Sequence, residues 1–445
     1  MRGPKLSAVV ASAGAVALLT SGCLSSGSPG PSGGGAGGGS AGAKSKVSII
    51  FGFGGDQTQG FKDSLDPWAK QNGITIDYQQ SDSFDTIIRT KVAGNTLPDI
   101  AMFPQPGLLK DIQKASNGKM QDLTSVLDMS KLKSSIVPGF LEATQIDGKQ
   151  YGVPVSMNVK SLLFYNKNTF TQKGYTQPKT LDELTALAAK IKADGTAPFC
   201  VGMESGNATG WVGTDWIEEL VLKQLGPAKY DQWVNHTLKF DSPEIKGVFD
   251  TYNKLLIAEG QTYGGAKSIV STKFGTAANP MFDNPPKCYL HKQGNFLTQK
   301  GFLSDAIQTK IDDNVGVYPF PKDKFDTVEV GGDIATMFTA NDTNVTKVMK
   351  YITEDPTFGQ AWAGPSDRGF LSPHKDFDVS KYGTKLTQSI AQIAYTSSGI
   401  RFDGSDAMPG KVGAGSFWKG MVALTSGQQD VDATLKQIDS SWPTS

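Results

Sequence analysis

The sequence predicts an α/β fold built on a parallel sheet covered by helices. The first third of the chain alternates strand, helix, strand, helix, strand, the order that places parallel strands side by side with helices packed over them. At 445 residues the chain exceeds the roughly 150 residues of an average domain, so two or three folding units are expected. No repeat of 20–50 residues occurs, which excludes solenoids and propellers.

The elements follow in order. The run KVSIIFGF over 46–53 is β-branched and apolar and ends at Gly54-Gly55, the pattern of a buried strand. A helix is expected over 58–71, then ITIDYQQ (74–80) alternates as a second strand. A second helix is expected over 84–93, and LPDIAMF (97–103) reads as a third strand entered through a proline turn. Thr180-Leu181-Asp182-Glu183 is a capping box ahead of Leu184, Leu187, Ala188 and Ile191, and Gly195 closes that helix. NVGVYPFP (314–321) is another short strand, and a further helix starts at 345–352.

Ahead of these elements lies a different kind of sequence. Arg2 and Lys5 precede an apolar and small-residue stretch, 6–20, that ends at Ser21-Gly22-Cys23. This is the layout of a secretory signal over 1–22. About 15 apolar residues fall short of the roughly 20 that a membrane span needs. LLTSGC resembles a bacterial lipobox, with Thr20 a departure from its usual Leu or Val, and it implies that Cys23 carries lipid. Residues 24–43 hold nine Gly and five Ser in twenty. Such a segment cannot bury enough apolar surface to offset its ordering entropy, so 23–44 is expected to be a tether with a reach of about 25 Å. A lipid anchor and a flexible stalk place the folded part on the extracellular face of the membrane.

Composition excludes several classes. With 43 basic and 43 acidic side chains there is no excess of cations to neutralise phosphates, so nucleic acid is not an expected partner. The three histidines, His236, His291 and His374, lie far apart with no metal-ligand spacing, so neither a metal nor a cofactor is expected. There is no GxSxG elbow and no P-loop. The GFGG stretch at 52–55 lacks the third glycine of a dinucleotide fingerprint, and Asp56 would repel pyrophosphate. With Cys23 lipidated, Cys200 and Cys288 are the remaining pair, and in an exported protein they are expected to form a disulfide.

The richest local signal is ESGNATGWVGTDW. Residues 204–216 put Glu204, Trp211, Asp215 and Trp216 into a glycine-rich polar loop. Large aromatics there are awkward as core. Sugars offer apolar C–H faces to Trp or Tyr and hydroxyls to Asp, Glu, Asn and Arg, which is the chemistry this loop supplies. If Thr214 caps a helix at Trp216, one Trp would face solvent and the other the core.

TLPDIAMF, YGVPVSMNVKSLLFYNKNTF, MFDNPPKCYLHKQGNF, VGVYPFP, VGGDIATMF and RGFLSPH occur in that order. Together they resemble the extracellular solute-binding proteins of ABC importers, in the carbohydrate-binding family that includes maltose-binding protein. The two cysteine-bearing segments look like the actinobacterial α-glucoside-binding branch. The resemblance implies a two-lobed flytrap with three interlobe crossings, expected near 156–158, 318–322 and 369–375. The N-lobe would then be 45–156 plus 321–370, and the C-lobe 157–320 plus 371–445. By the same resemblance the ligand set includes Asp56 or Gln57, Asp99 in either a ligand-facing or a structural role, Phe103 with Gln105 beyond it, Asn158, Asn295-Phe296 in place of a stacking Trp, Gly332-Asp333 and Arg368. Helix N-capping is the alternative role for Asp333. A membrane-anchored monomer that captures a neutral oligosaccharide, an α-glucoside, and delivers it to an ABC permease is the function implied, with no catalysis. Trehalose, an amino sugar or a glycerol phosphodiester are alternative ligands. A secreted glycoside hydrolase and a surface adhesin or sensor are alternative classes. Only Arg368 among the candidate loops is basic, which favours a neutral sugar over a phosphate.

Overall fold

The computed structural model describes residues 43–364, 368–397 and 399–443, which belong to one unit spanning Ala41–Ser445. The expected signal over 1–22, the lipidated Cys23 and the tether as far as residue 42 lie outside the described residues.

The N-lobe is a five-stranded sheet. Its parallel part pairs Lys46–Phe51 with Thr75–Gln80 on one side and Ile100–Phe103 on the other. Ile334–Met337 adds antiparallel to Ile100–Phe103, and Val153–Pro154 completes the sheet. All four residues of Ile100–Phe103 are buried, as expected where helices cover both faces of a sheet. The first helix spans Gly55–Gln71, three residues longer at its start than the sequence implied. Extended Gly54 precedes it, and Thr58 Oγ1 donates to Phe53 O inside the first turn instead of capping it. The second helix, Phe84–Ala93, matches its expected span.

The C-lobe carries a mixed four-stranded sheet in the order Val315–Pro319, Leu162–Asn166, Cys288–Lys292, Ala197–Phe199. Cys288–Lys292 runs parallel to Ala197–Phe199 and antiparallel to Leu162–Asn166. Cys200 and Cys288 are joined by a disulfide with Cα atoms 5.5 Å apart, so the bridge ties the two parallel strands. The Leu181–Ala193 helix is capped as the sequence implied: Thr180 Oγ1 accepts from Glu183 N at 3.2 Å. The return bond of the box goes one residue further out, from Lys179 N to Glu183.

A three-stranded sheet joins the lobes. Val328–Gly331 lies in its middle, antiparallel to Asn158–Val159 and parallel to Ile400–Phe402. Two further contacts lie near the passages implied at 318–322 and 369–375. Lys322 still exchanges backbone hydrogen bonds with Lys179 and Leu181 of the C-lobe, and the chain enters the N-lobe sheet only at Ile334. His374 is bridged to Ile136, with Pro373 O accepting from Val137 N.

Two apolar cores support the lobes. One gathers Val47, Ile49, Phe51, Ile100, Phe103 and Ile334 on the N-lobe sheet and continues into Phe164, Cys288 and Val315 of the C-lobe sheet. The other gathers Leu163, Phe199, Trp216, Leu220, Tyr252 and Leu290 around the long helix Trp211–Val234.

Candidate functional site

The carboxyl ends of the N-lobe strands, the joining sheet and the start of the long C-lobe helix meet at a cleft of about 330 Å3. The N-lobe contributes Gln57 and Pro104, which follow the strands Lys46–Phe51 and Ile100–Phe103. Ligands of open α/β sheets bind outside strand carboxyl ends, where loops fan apart. The joining sheet supplies Asn158, Lys160 and the Gly331-Gly332-Asp333 corner. At Gly332 φ is 152°, and a Cβ would lie 2.1 Å from Ser156 O. Only glycine allows the two connections to pass so closely and turn Asp333 into the cleft.

The C-lobe wall is aromatic. Trp211, Phe274, Phe296 and Phe302 line it and touch in a circuit. Ring centroids are 5.1 Å apart for Trp211 and Phe274, 5.8 Å for Phe274 and Phe302, 5.7 Å for Phe302 and Phe296, and 6.0 Å for Phe296 and Trp211. Edge and tilted contacts of this kind hold each ring in place. The helix starts at Trp211, not after Thr214, because Gly210 at φ 121° turns the chain there. A Cβ on Gly210 would meet Trp418 O at 2.3 Å. Thr214 lies within the first turn, its Oγ1 donating to Trp211 O. Trp216, five residues on, points the other way: it is 1% exposed and meets Phe199 and Phe320 edge-on.

Behind the aromatic wall lies a buried ion network. Lys160 Nζ donates to Asp215 Oδ1 at 3.0 Å and to Asp403, and sits 5.4 Å from the Trp211 ring centroid. Burial pulls the Lys160 pKa down, but the charges of Asp215 and Asp403 outweigh it and hold the ammonium well above its ordinary value. Lys292 lies between Glu219 and Glu329, 3.6 Å from each. Glu218 accepts from Gly404 N and Ser405 N. Burial raises the pKa of Glu218, Glu329 and Asp406 well above the usual carboxylate range, and that of Asp215 to about 6. Burial comes first in each case, and the neighbouring carboxylates push in the same direction. Asp333 stands apart from this network. Its Oδ2 accepts from Ser156 Oγ at 2.7 Å, and burial raises its pKa to about 6.

The residues named from sequence distribute unevenly. Gln57, Asn158, Trp211, Phe296, Gly332 and Asp333 line the cleft. Asp333 caps no helix, since it sits between Val328–Gly331 and Ile334–Met337. Asp56 is exposed on the first turn of its helix and does not line the cleft. Asp99 is buried and structural, accepting from Lys44 Nζ, Ser48 N and Thr339 Oγ1. Phe103 is core, packed edge-on against Phe84. Asp215 and Trp216 are buried behind the wall, and Asp215 reaches the cleft only through Lys160. Asn295 is wholly buried and ties segments together, accepting from Val159 N and donating to Gly369 O. Arg368 pairs with Asp63 at 2.7 Å and does not line the cleft. Glu204 lines a neighbouring groove. Gln105 donates to Asp406, a lining residue.

Lys160, Phe274, Gln299, Phe302 and Asp406 complete the lining and were not anticipated. Phe274 and Phe302 each sit beside glycine in polar loops, the same signal that flagged Trp211. Lys160 interrupts an apolar run, where a charge needs a buried partner to be tolerated. Asp406 carried no local signal.

The family model for bacterial extracellular solute-binding protein matches residues 54–357. The chain belongs to this family. Among relatives of such binding proteins, the osmoprotective compounds-binding protein GgtB of Synechocystis sp. is 37% identical over 90% of this chain and 93% of its own. The alpha-glucosides-binding periplasmic protein AglE of Rhizobium meliloti is 32% identical over 90% of this chain and 87% of its own. The sugar-binding protein MalE from Xanthomonas citri superposes with a TM-score of 0.69 at 16% identity, covering 89% of this chain and 95% of that one. That similarity shows a shared two-lobed fold. Among the described residues no helix is long and apolar enough to cross a membrane.

Proposed function

We propose that this binding protein captures a neutral α-glucoside in the cleft between its lobes and delivers it, without turnover, to an ABC permease. The observation that carries the reading is the pairing of an aromatic wall with a polar floor across the lobe junction. Trp211, Phe296 and Phe302 offer faces for pyranose C–H groups, while Asn158, Asp333 and Gln57 offer hydrogen-bond partners for hydroxyls. Lys160 is the basic residue of the lining, and Asp215 and Asp403 already hold its charge, which favours a neutral ligand over a phosphate. Relatives named for alpha-glucosides and osmoprotective compounds support the same class. The lobes are assigned as 45–156 with 334–376, and 160–327 with 404–443, joined by the three-stranded sheet. Lipid on Cys23 holds the protein at the outer face of the membrane.

The test is a thermal-shift and calorimetric titration with maltose, trehalose, sucrose and isomaltose. At a hundredfold excess over the dissociation constant, ligand stabilises the fold by about 2.7 kcal/mol. Trp211→Ala is expected to weaken binding ten- to hundredfold, about 1–3 kcal/mol. The sugar should be recovered intact after a day. No shift with any of the four sugars would defeat the reading, and cleaved sugar would replace it with hydrolysis.

A further inference from the structure

Behind the aromatic wall, the long helix, the joining sheet and the turn after Ile400–Phe402 bring five buried carboxylates together: Asp215, Glu218, Glu219, Glu329 and Asp403. Three buried ammonium groups, Lys160, Lys223 and Lys292, answer them. Ionised throughout, the set keeps two negative charges in excess, and buried charge without a counter-charge is expensive. We propose that Asp215, Glu218, Glu329 and Asp403 form a structural calcium site that clamps the long helix to the joining sheet. The site is independent of which sugar the cleft takes.

One oxygen from each of the four lies within 4.8 Å of the others. Opposed oxygens around calcium stand about 4.6–5.2 Å apart, from bonds of about 2.3–2.6 Å, whereas magnesium draws them in to about 4.0–4.2 Å. All four are hard oxygen donors, the type that calcium takes and zinc does not prefer. Glu329 points independently to a ligand. It is wholly buried, and neither oxygen of its carboxylate has a hydrogen-bond partner. Lys292 stands 3.6 Å away, an ion pair too long to be a hydrogen bond. A carboxylate carried into the core with both oxygens unmet calls for an ion or water to meet them. The other three keep lone pairs to spare, since a carboxylate oxygen accepts about two bonds. Glu218 accepts one backbone N–H at each oxygen, from Gly404 and Ser405. Lys160 takes one oxygen each of Asp215 and Asp403. Histidine spacing predicts no metal, and such a search misses this set because strand pairing brings 329 and 403 to the helix that holds 215 and 218.

Metal analysis and calorimetry on the whole protein test the site. The protein is analysed for bound metal as purified, then stripped with EDTA and titrated with calcium chloride, with magnesium chloride alongside. The expected result is one calcium per chain, carried through purification or taken up after stripping. At a hundredfold excess over the dissociation constant, calcium should raise the melting midpoint of stripped protein by about 3–5 °C. Magnesium should bind about tenfold more weakly or worse. Glu329→Gln and, separately, Glu218→Gln should each weaken calcium binding about tenfold or more. The wild type alone decides whether the ion binds, so a variant that fails to fold leaves the test standing. No calcium in the purified protein and no uptake after stripping would overturn the site and assign the excess charge to shared protons. Uptake that survives both substitutions overturns it by moving the ion elsewhere, and magnesium bound as tightly as calcium overturns the choice of ion.

Discussion

Trp211 and Trp216 occupy one helix five residues apart, and their fates differ because the helix starts between the cleft and the core. Trp211 sits at its first position with its ring in the wall. Trp216 is turned into the C-lobe core. Substitution to Ala separates them by readout. Trp216→Ala should cost about 3–5 kcal/mol of stability, seen in denaturant unfolding, while Trp211→Ala acts on affinity. Asp333 is the second decisive residue. Its carboxyl, raised to about 6 by burial, accepts a ligand hydroxyl best when ionised, so bound ligand lowers its pKa. Affinity is therefore fully present well above pH 6 and is lost as pH falls through about 6. Calorimetry between about pH 5 and 8 should show this slope in the wild type, and Asp333→Asn should bind weakly with a flat profile.

At the scale of elements, the joining sheet does more than connect lobes. Lys160 follows one of its strands, Asp403 follows another, and Glu329 lies within the third. Their charges meet behind Trp211, so the strands that link the lobes also brace the aromatic wall. Lys160→Met leaves Asp215 and Asp403 without their shared cation. Because an uncompensated buried charge is expensive, the variant should lose about 3–5 kcal/mol of stability. The measurement is the denaturant midpoint, and an unchanged midpoint would show that the network contributes nothing net. The Cys200–Cys288 bridge acts on the unfolded chain instead. Its sequence separation of 88 gives a loop-closure contribution of about 4–5 kcal/mol. Cys200→Ala with Cys288→Ala should lower stability by up to that amount and leave sugar affinity near the wild-type value, since neither cysteine lines the cleft.

At the scale of the molecule, two lobes and the strands that join them create a cleft with one side on each lobe. Ligand that contacts both sides favours their approach, which is how a two-lobed protein couples capture to presentation. The proposed lipid on Cys23 would set where that presentation happens. Cys23→Ala should move the protein from the membrane fraction to the medium, read by fractionation and immunoblot. A variant retained in membranes would contradict the lipid anchor.

The α/β class, the opening strands and helices, the capping box at Thr180, the cysteine pair and the aromatic loop were all legible in sequence, because each rests on local rules: periodicity, turn chemistry, composition. Six of the named site residues reach the cleft for a related reason, since they sit at the first turns of helices, in turns after strand ends, or on and beside the joining sheet, where the chain borders the crevice. Asp99, Phe103, Asp215 and Asn295 show where local reading stops. A carboxylate beside a strand can serve ligand or scaffold, and only the partners brought by distant segments, Lys44 to Asp99, Lys160 to Asp215, Val159 to Asn295, decide which. Lys160 and Asp406 entered the site by the same route, because pairing of 158–159 with 328–331 and of 328–331 with 400–402 assembles residues that lie more than two hundred positions apart. Short-range physics thus determined the elements and their chemistry, while burial and long-range strand pairing decided which of those groups face the cleft.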